Sequence, residues 1–87
     1  MVDKNTSDLE ERLARFAEGV IDLCKELPRN EINSRLTPQA VSASGSSGAN
    51  YCEVCEAESK KDFGHKIGLV KKELRESKHW LRLIARA

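Results

Sequence analysis

Apolar positions recur at alternating spacings of three and four in two long stretches of the chain. The first stretch carries Leu9, Leu13, Phe16, Val20, Leu23 and Leu27. The second carries Phe63, Ile67, Val70, Leu74, Ser77, Leu81 and Ile84. Such spacing places these side chains on one face of an α-helix, and a stripe sustained over several turns packs against another helix. The pattern therefore predicts two long helices packed lengthwise.

The ends of both helices carry recognisable signals. Ser7 and Glu10 have the spacing of a capping box, and Pro28 stops the pattern, so we expect a first helix over about residues 7–27. Ser59 and Asp62 form a weaker box, in which the acidic group also favours the positive helix start. The last helix is expected over about residues 59–86.

The middle of the chain has two interpretations. Thr37 is a suitable helix cap with Pro38 at the first helical position, but the residues that follow, SASGSSGAN at 42–50, are typical of a flexible linker. The alternative is a helix over about 37–57 whose small side chains let neighbouring backbones approach closely. Local propensity favours the linker, because each interior glycine costs about 1 kcal/mol relative to alanine.

Length and composition limit the class of protein. The chain of 87 residues has room for one domain, residues 1–87, and its 33% of charged residues with only four aromatic residues favour an all-α fold. Apolar runs are too short for a membrane span, and the polar start lacks the layout of a secretory signal, so we expect a cytoplasmic protein. Three cysteines without an export signal are expected to be reduced thiols.

Charge is distributed unevenly along the chain. Residues 1–59 hold six Lys/Arg and eleven Asp/Glu, a net charge of −5, whereas residues 60–87 hold nine and three, a net charge of +6. One interpretation is internal pairing, in which acidic side chains of the first helix face the last helix within or between subunits: Glu11, Glu18, Asp22 and Glu26. The other is a surface for RNA or another polyanion. Its candidate residues follow one flank of the last helix: Lys71, Arg75, Lys78, Arg82 and Arg86.

Other candidate chemistry is sparse. Cys52 and Cys55 have metal-ligand spacing, but no second pair completes a tetrahedral site, so we expect packing and predict no metal and no cofactor. His65 and His79 are four turns apart on one helix and cannot meet within a chain. No phosphate loop or nucleophile elbow is present, and no small-molecule substrate is evident. We expect no catalytic residues and no enzymatic activity.

Two glycines in the last helix also have two interpretations. Gly64 and Gly68 are one turn apart and lower helix propensity, so they indicate either a close crossing with another helix or tolerated surface positions. Trp80 lies beside the apolar stripe, where we expect its large ring to pack.

Residues 8–86 resemble a known family. The stretches GANYCE and AESKKDFGHKIGLVKKELRESKHWLRL are similar to the bacterial four-helix bundle proteins, also called the 23S rRNA intervening-sequence proteins. The family-motif positions, to which the resemblance assigns structural roles, are Asn50, Tyr51, Glu53, Asp62, Phe63, Glu73, Glu76 and Trp80.

The resemblance implies an up-and-down antiparallel left-handed bundle, with the Ser/Gly-rich segment inside the second helix. It also implies a homo-oligomer, since family members are known as cyclic homopentamers. A related group, the accessory variability determinant proteins of diversity-generating retroelements, uses a basic surface to engage nucleic acid and a reverse transcriptase. That kinship raises the expectation for the basic flank but does not transfer an activity.

This chain departs from the family pattern in three places. Ser42 stands where members usually carry Arg, and Cys52 interrupts paired acids before Glu53. Members also continue into a fourth helix, whereas this chain has three. Three helices alone should be marginally stable, so we expect the chain either to associate through the vacated groove or to be part of a longer reading frame.

The sequence thus predicts a non-enzymatic, oligomeric helical bundle. Its first specific hypothesis is RNA binding through the basic flank of the last helix. The second is a structural module that binds a protein partner without nucleic acid.

Overall fold

Three helices account for most of the chain. The computed structural model describes the backbone of residues 4–87 and the side chains of residues 8–87. The helices are α1 (Lys4–Glu26), α2 (Glu31–Val54) and α3 (Lys60–Arg86), and the described residues contain no strand. They pack against one another along a longest dimension of 45 Å. The predicted all-helical, bundle-like fold is confirmed.

Helix α1 begins before the predicted cap and ends near the predicted stop. It starts at Lys4, ahead of Ser7, whose side chain lies outside the described residues together with the capping box predicted there. It ends at Glu26, where the amide of Leu27 bonds to the carbonyl of Cys24 at 3.3 Å. Pro28 follows directly and ends the helical hydrogen bonding.

The predicted start of the second helix was wrong. Helix α2 begins at Glu31, and its cap is Asn30, whose side-chain oxygen accepts from the amide of Asn33 at 2.8 Å. Thr37 is therefore not a cap, and Pro38 lies inside the helix. An interior proline costs about 3 kcal/mol relative to alanine. The helix continues through it because α2 is held by packing along its whole length, and because Pro38, which has no N–H to donate to the carbonyl of Ser34, is exposed to solvent.

Local propensity favoured a linker over residues 42–50 and was wrong, because this segment is the middle of α2, as the family resemblance implied. Its small side chains form the face that the other helices cover: Ala40, Ser44 and Ser47 are 0% exposed. The two serine hydroxyls donate to carbonyls of their own helix, at 3.2 Å to Val41 and 2.7 Å to Ser44. Small polar side chains can therefore be buried without an unsatisfied donor.

Two apolar clusters show that neighbouring helices are antiparallel. One joins the start of α1 to the end of α2 and the start of α3, through Leu13, Tyr51, Val54 and Val70. The other joins the opposite ends through Val20, Ala40 and Ile84. The order of these contacts is that of an up-and-down bundle.

Helix α2 lies between the other two helices. Among the described residues, no Cα atom of α1 comes within 8 Å of a Cα atom of α3, although both helices pack on α2. Packed helices lie 8–10 Å apart, so α1 and α3 occupy diagonal positions. Each of them consequently has one flank that α2 does not cover.

We call the concave surface between these uncovered flanks the α1–α3 groove. Two rows at seven-residue spacing border it, Leu9, Phe16 and Leu23 of α1 and Ile67, Leu74 and Leu81 of α3. Leu9 and Leu23 are exposed, whereas the other four side chains are half-buried and pack against the two apolar clusters. On α1, α2 covers the other side, since Glu10 contacts Cys52 and Cys24 lines a cavity with Asn33 and Thr37. On α3, Glu73, Glu76 and Trp80 are half-buried on the other flank.

Helix α3 begins as predicted. Ser59 is its cap and accepts from the amide of Asp62 at 3.0 Å, while the Asp62 carboxylate accepts from the amide of Glu58 at 3.1 Å. Gly64 and Gly68 are exposed, and an added Cβ at either would meet nothing within 4 Å. The close helix crossing considered for these glycines is therefore not made with any of the residues that the structure describes, and they are surface positions.

Candidate nucleic-acid interface

A row of cationic side chains follows one flank of α3. All five predicted residues are exposed: Lys71, Arg75, Lys78, Arg82 and Arg86. At 100° per residue they fall within about 80° around the helix axis, and they extend over about 22 Å at 1.5 Å per residue. They therefore form one continuous surface along the second half of α3.

The position of this row is set by the packing of α3. Val70, Ser77 and Ile84 are buried and fix which side of the helix faces the core. Ser77 is 1% exposed, and its hydroxyl donates to the carbonyl of Glu73 at 2.8 Å. Because these three residues determine which side of α3 faces the core, Lys71 and Lys78 lie at the edge of the flank that α2 does not cover.

The basic row forms no ion pair with the acidic side chains of residues 8–59. Among residues 8–87, the ion pairs are Arg15–Glu11, Arg35–Glu31 and Lys66–Asp62, each between side chains four residues apart on one helix. The predicted pairing of the α1 acids with α3 is thus absent within residues 8–87, since α1 and α3 are diagonal, and pairing between subunits stays a prediction. The acidic side chains of α1, Glu11, Glu18, Asp22 and Glu26, are exposed.

The family-motif residues divide into core and surface positions. Tyr51 is buried at 7% exposure in the Leu13 cluster, and Trp80 packs on the Val20 cluster with its ring edge-on to His79 at 5.1 Å. Asn50, Glu73 and Glu76 are half-buried, Glu53 is exposed, and Phe63 is 37% exposed.

Asp62 has both a capping and an electrostatic role. The amide of Glu58 and, secondarily, the ammonium of Lys66 at 3.1 Å lower the pKa of the Asp62 carboxyl from its ordinary value of 3.8. Both partners stabilise the carboxylate form. This charge lies at the positive end of α3 and supports the start of the helix.

The cysteines lie in unreactive surroundings. Cys52 donates its thiol to the Glu10 carboxylate at 3.1 Å, which raises the pKa of Cys52 together with burial and nearby negative charge. Burial raises the pKa of Cys24. Cys55 is half-buried against the Leu13 cluster. The described part of the chain contains no group of three or more His, Cys, Asp or Glu residues placed to hold a metal ion.

One polar feature was missed in the sequence. Asn33 is 6% exposed, and its side-chain amide donates to the carbonyl of Pro28 at 2.8 Å, which ties the α1–α2 turn to the start of α2. Its Oδ1 atom is buried without a hydrogen-bond partner among the described residues. The start of α2 at Asn30 could have been predicted from the sequence. Asn30 lies two positions after Pro28 and directly before the acidic Glu31, and this is a typical composition of a helix start.

The fold and its surface indicate the class of the protein, which is a small bundle of antiparallel helices with a cationic flank. The family model of the 23S rRNA-intervening sequence protein matches residues 7–87. The chain belongs to this family, as the sequence resemblance predicted. No significant match was found among curated proteins or among solved structures. None of the described helices is long and apolar enough to cross a membrane.

Proposed function

We propose that this protein is a non-enzymatic, cytoplasmic bundle module that self-associates and binds RNA through the basic flank of α3. The observation that carries the proposal is the exposed cationic row from Lys71 to Arg86, which forms no ion pair within residues 8–87. Exposed Lys and Arg at this density attract phosphates, and the released counterions contribute to affinity.

A surface of this kind reads the phosphate backbone and not the bases. A row of cationic side chains on the outside of one helix can contact phosphates over about 22 Å. Few aromatic side chains lie beside it to stack on the bases. Structured RNA is therefore the expected ligand class, with weak sequence preference and strong salt dependence. With five cations, the slope of log affinity against log salt is expected to be no steeper than about −4.5.

The absence of enzymatic activity is proposed on the chemistry of the side chains. The Cys52 thiol is held protonated by Glu10, which disfavours it as a nucleophile. His65 and His79 are both exposed on α3 and remain four turns apart.

Self-association is supported by large apolar side chains that lie outside the α1–α3 groove. Ile21, Ile32 and Val41 are 40%, 62% and 36% exposed. Small three-helix domains bury limited apolar surface, and association of copies covers more of it. The family resemblance makes a cyclic pentamer the first oligomer to test.

The test combines charge reversal with matched controls. Arg75→Glu/Lys78→Glu should abolish retention of structured RNA at low salt while far-ultraviolet circular dichroism stays unchanged. Arg12→Glu/Arg15→Glu on α1 changes the net charge equally and should retain most binding. Equal losses for both pairs, or undiminished retention for the α3 pair, would refute the assignment.

Light scattering coupled to size exclusion measures the oligomer in the same samples. A defined oligomer with RNA co-elution that salt disrupts supports the whole proposal, and a monomer refutes self-association.

A second candidate is a protein-binding module without nucleic acid, which the exposed apolar residues of the α1–α3 groove favour. Affinity that does not fall with ionic strength distinguishes it.

A further inference from the structure

A cavity lies between α1 and α2, beside the turn that joins them. It measures about 330 Å³ and is lined by the end of α1, the turn and the first two turns of α2. Leu27 and Pro28 give the lining an apolar surface, and Cys24 and Thr37 lie in it as well. None of the described residues of α3 lines it, so the cavity is separate from the basic row.

Asn33 gives this cavity a hydrogen-bond acceptor that has no partner. The residue lines the cavity and is 6% exposed. Its Nδ2 atom donates to the carbonyl of Pro28 at 2.8 Å, which fixes the orientation of the amide group. The Oδ1 atom is buried and accepts no hydrogen bond from the described residues. Buried acceptors are nearly always satisfied, so this atom indicates a donor that comes from outside the chain.

The cavity also attracts negative charge. Arg29 and Asn30 line it at the start of α2, where the aligned peptide dipoles of a 24-residue helix present their positive end. Arg29 is exposed and forms no ion pair within residues 8–87. The acidic residue of this turn, Glu31, is instead 3.9 Å from Arg35. Burial raises the pKa of Cys24, so its thiol is uncharged at neutral pH and does not repel an anion.

From these features we infer that the cavity binds a small carboxylate with an N–H or O–H group on the carbon beside the carboxylate and a short apolar side chain. Asn33 is one helical turn, about 5 Å, from Asn30, so the donor and the anion must be close together in the ligand. The donor bonds to Asn33 Oδ1, the carboxylate lies at Arg29, and the apolar side chain packs on Leu27. One arginine and one helix start match a single negative charge, which favours a carboxylate over a phosphate.

Three matched probes test this class of ligand. N-acetyl-L-leucine has both the donor and the carboxylate, 4-methylpentanoate lacks the donor, and N-acetyl-L-leucinamide lacks the carboxylate. In titrations of the full-length protein followed by NMR chemical shifts, N-acetyl-L-leucine should bind at least about threefold more tightly than either of the others. Equal affinities, or no saturation by N-acetyl-L-leucine at about 10 mM, would overturn the inference and leave Oδ1 to an ordered water.

The same terminal chemistry occurs in free small acids and at the C-terminus of a peptide. The tripeptide acetyl-alanyl-alanyl-leucine presents it on a chain. Equal affinity of the tripeptide and N-acetyl-L-leucine would assign the cavity to a peptide C-terminus. Binding of the tripeptide more than about tenfold weaker would assign it to a free acid, and either result supports the ligand chemistry.

Variants at the lining localise the binding. Arg29→Gln should weaken binding of N-acetyl-L-leucine at least about threefold, whereas Arg35→Gln, also exposed but outside the lining, should not. Asn33→Leu should abolish the advantage of N-acetyl-L-leucine over 4-methylpentanoate, because it removes the acceptor. Since Asn33 also holds Pro28, the exposed Arg29 keeps the test decisive if Asn33→Leu does not fold. Unchanged affinity in Arg29→Gln would overturn the inference.

The cysteines report where the probe binds. Cys24 lines the cavity, whereas Cys52 is exposed near the other end of α2. At ten times its dissociation constant, N-acetyl-L-leucine should slow the alkylation of Cys24 by iodoacetamide about tenfold. The alkylation of Cys52 should stay unchanged, and mass spectrometry of digests measures both rates. An unchanged rate at Cys24 would place the probe elsewhere and overturn the inference.

Discussion

At the scale of single residues, Ser47 shows how a polar side chain serves as a core residue. It is 0% exposed, and its hydroxyl is satisfied by the carbonyl of Ser44 at 2.7 Å. The packing at this position therefore restricts the size of the side chain and not its polarity. Serine provides a small volume together with an internal hydrogen bond.

Substitutions of different size at Ser47 test this explanation. Ser47→Ala should change the free energy of unfolding by less than about 1 kcal/mol, because alanine keeps the volume and favours the helix. Ser47→Leu should lower it by about 1–3 kcal/mol or more through overpacking. Urea unfolding followed by circular dichroism gives both values, and a tolerated leucine would show that α2 is loosely packed.

Asp62 predicts how stability depends on pH. Its pKa is lower in the folded protein than in the unfolded chain, mainly through the amide of Glu58 and then through Lys66. The carboxylate therefore stabilises the fold above its unfolded pKa, and this contribution is lost as the pH falls through the lowered folded pKa.

The corresponding experiment compares melting temperatures at acid pH. Between about pH 5 and pH 2, the wild-type melting temperature should fall more steeply than that of Asp62→Asn, which has no titrating carboxyl at this position. Asp8→Asn, at an exposed position early in α1, is the control and should retain the wild-type slope. Parallel curves for wild type and Asp62→Asn would contradict the role given to this carboxylate.

At the scale of elements, α2 shows where local signals mislead. Thr37-Pro38 has the composition of a helix start, yet Asn30 caps the helix and Pro38 is interior. Gly45 and Gly48 lower propensity further, and an added Cβ at Gly48 would be 3.8 Å from the Leu13 Cβ atom, an ordinary contact. Packing on both neighbours stabilises a helix that its own sequence disfavours.

Pro38→Ala measures how strongly packing overrides propensity. The substitution restores an amide for the carbonyl of Ser34 at an exposed position and should raise the free energy of unfolding by about 1–3 kcal/mol. Gln39→Ala, exposed on the same turn, should change it by less than about 0.5 kcal/mol. A destabilised Pro38→Ala protein would mean that the proline geometry is required in α2.

At the scale of the whole molecule, the diagonal arrangement of α1 and α3 separates the charges. Since no described Cα atoms of the two helices come within 8 Å of each other, the acidic residues of α1 and the basic row of α3 are both left on the surface. A chain with a formal net charge of only +1 therefore presents one strongly cationic flank. Such local charge governs association with polyanions more than net charge does.

Proposed self-association makes stability depend on concentration. If copies associate through Ile21 and Val41, the urea midpoint should rise between about 1 and about 100 μM protein, because mass action favours the assembled form. Ile21→Gln should reduce that rise, and Lys25→Gln on the same helix should not. A midpoint independent of concentration in the wild-type protein would contradict association.

The sequence alone determined the properties that depend on local spacing. Periods of three and four residues specified α1 and α3, the Ser59–Asp62 pair specified the start of α3, and the motif stretches specified the family. These signals act between residues a few positions apart, so no tertiary contact is needed to read them.

Local sequence signals did not decide the state of residues 42–50, which the family resemblance placed in the second helix, and only the tertiary structure decided the position of the basic row relative to the acids. Glycine, serine and proline disfavour a helix in isolation, and burial of Ala40, Ser44 and Ser47 between two other helices outweighs that preference. The side of α3 that α2 covers likewise follows from packing, because the apolar stripe alone does not specify which neighbour lies on which flank. That choice leaves Lys71 and Lys78 on the open side of the bundle, beside the α1–α3 groove.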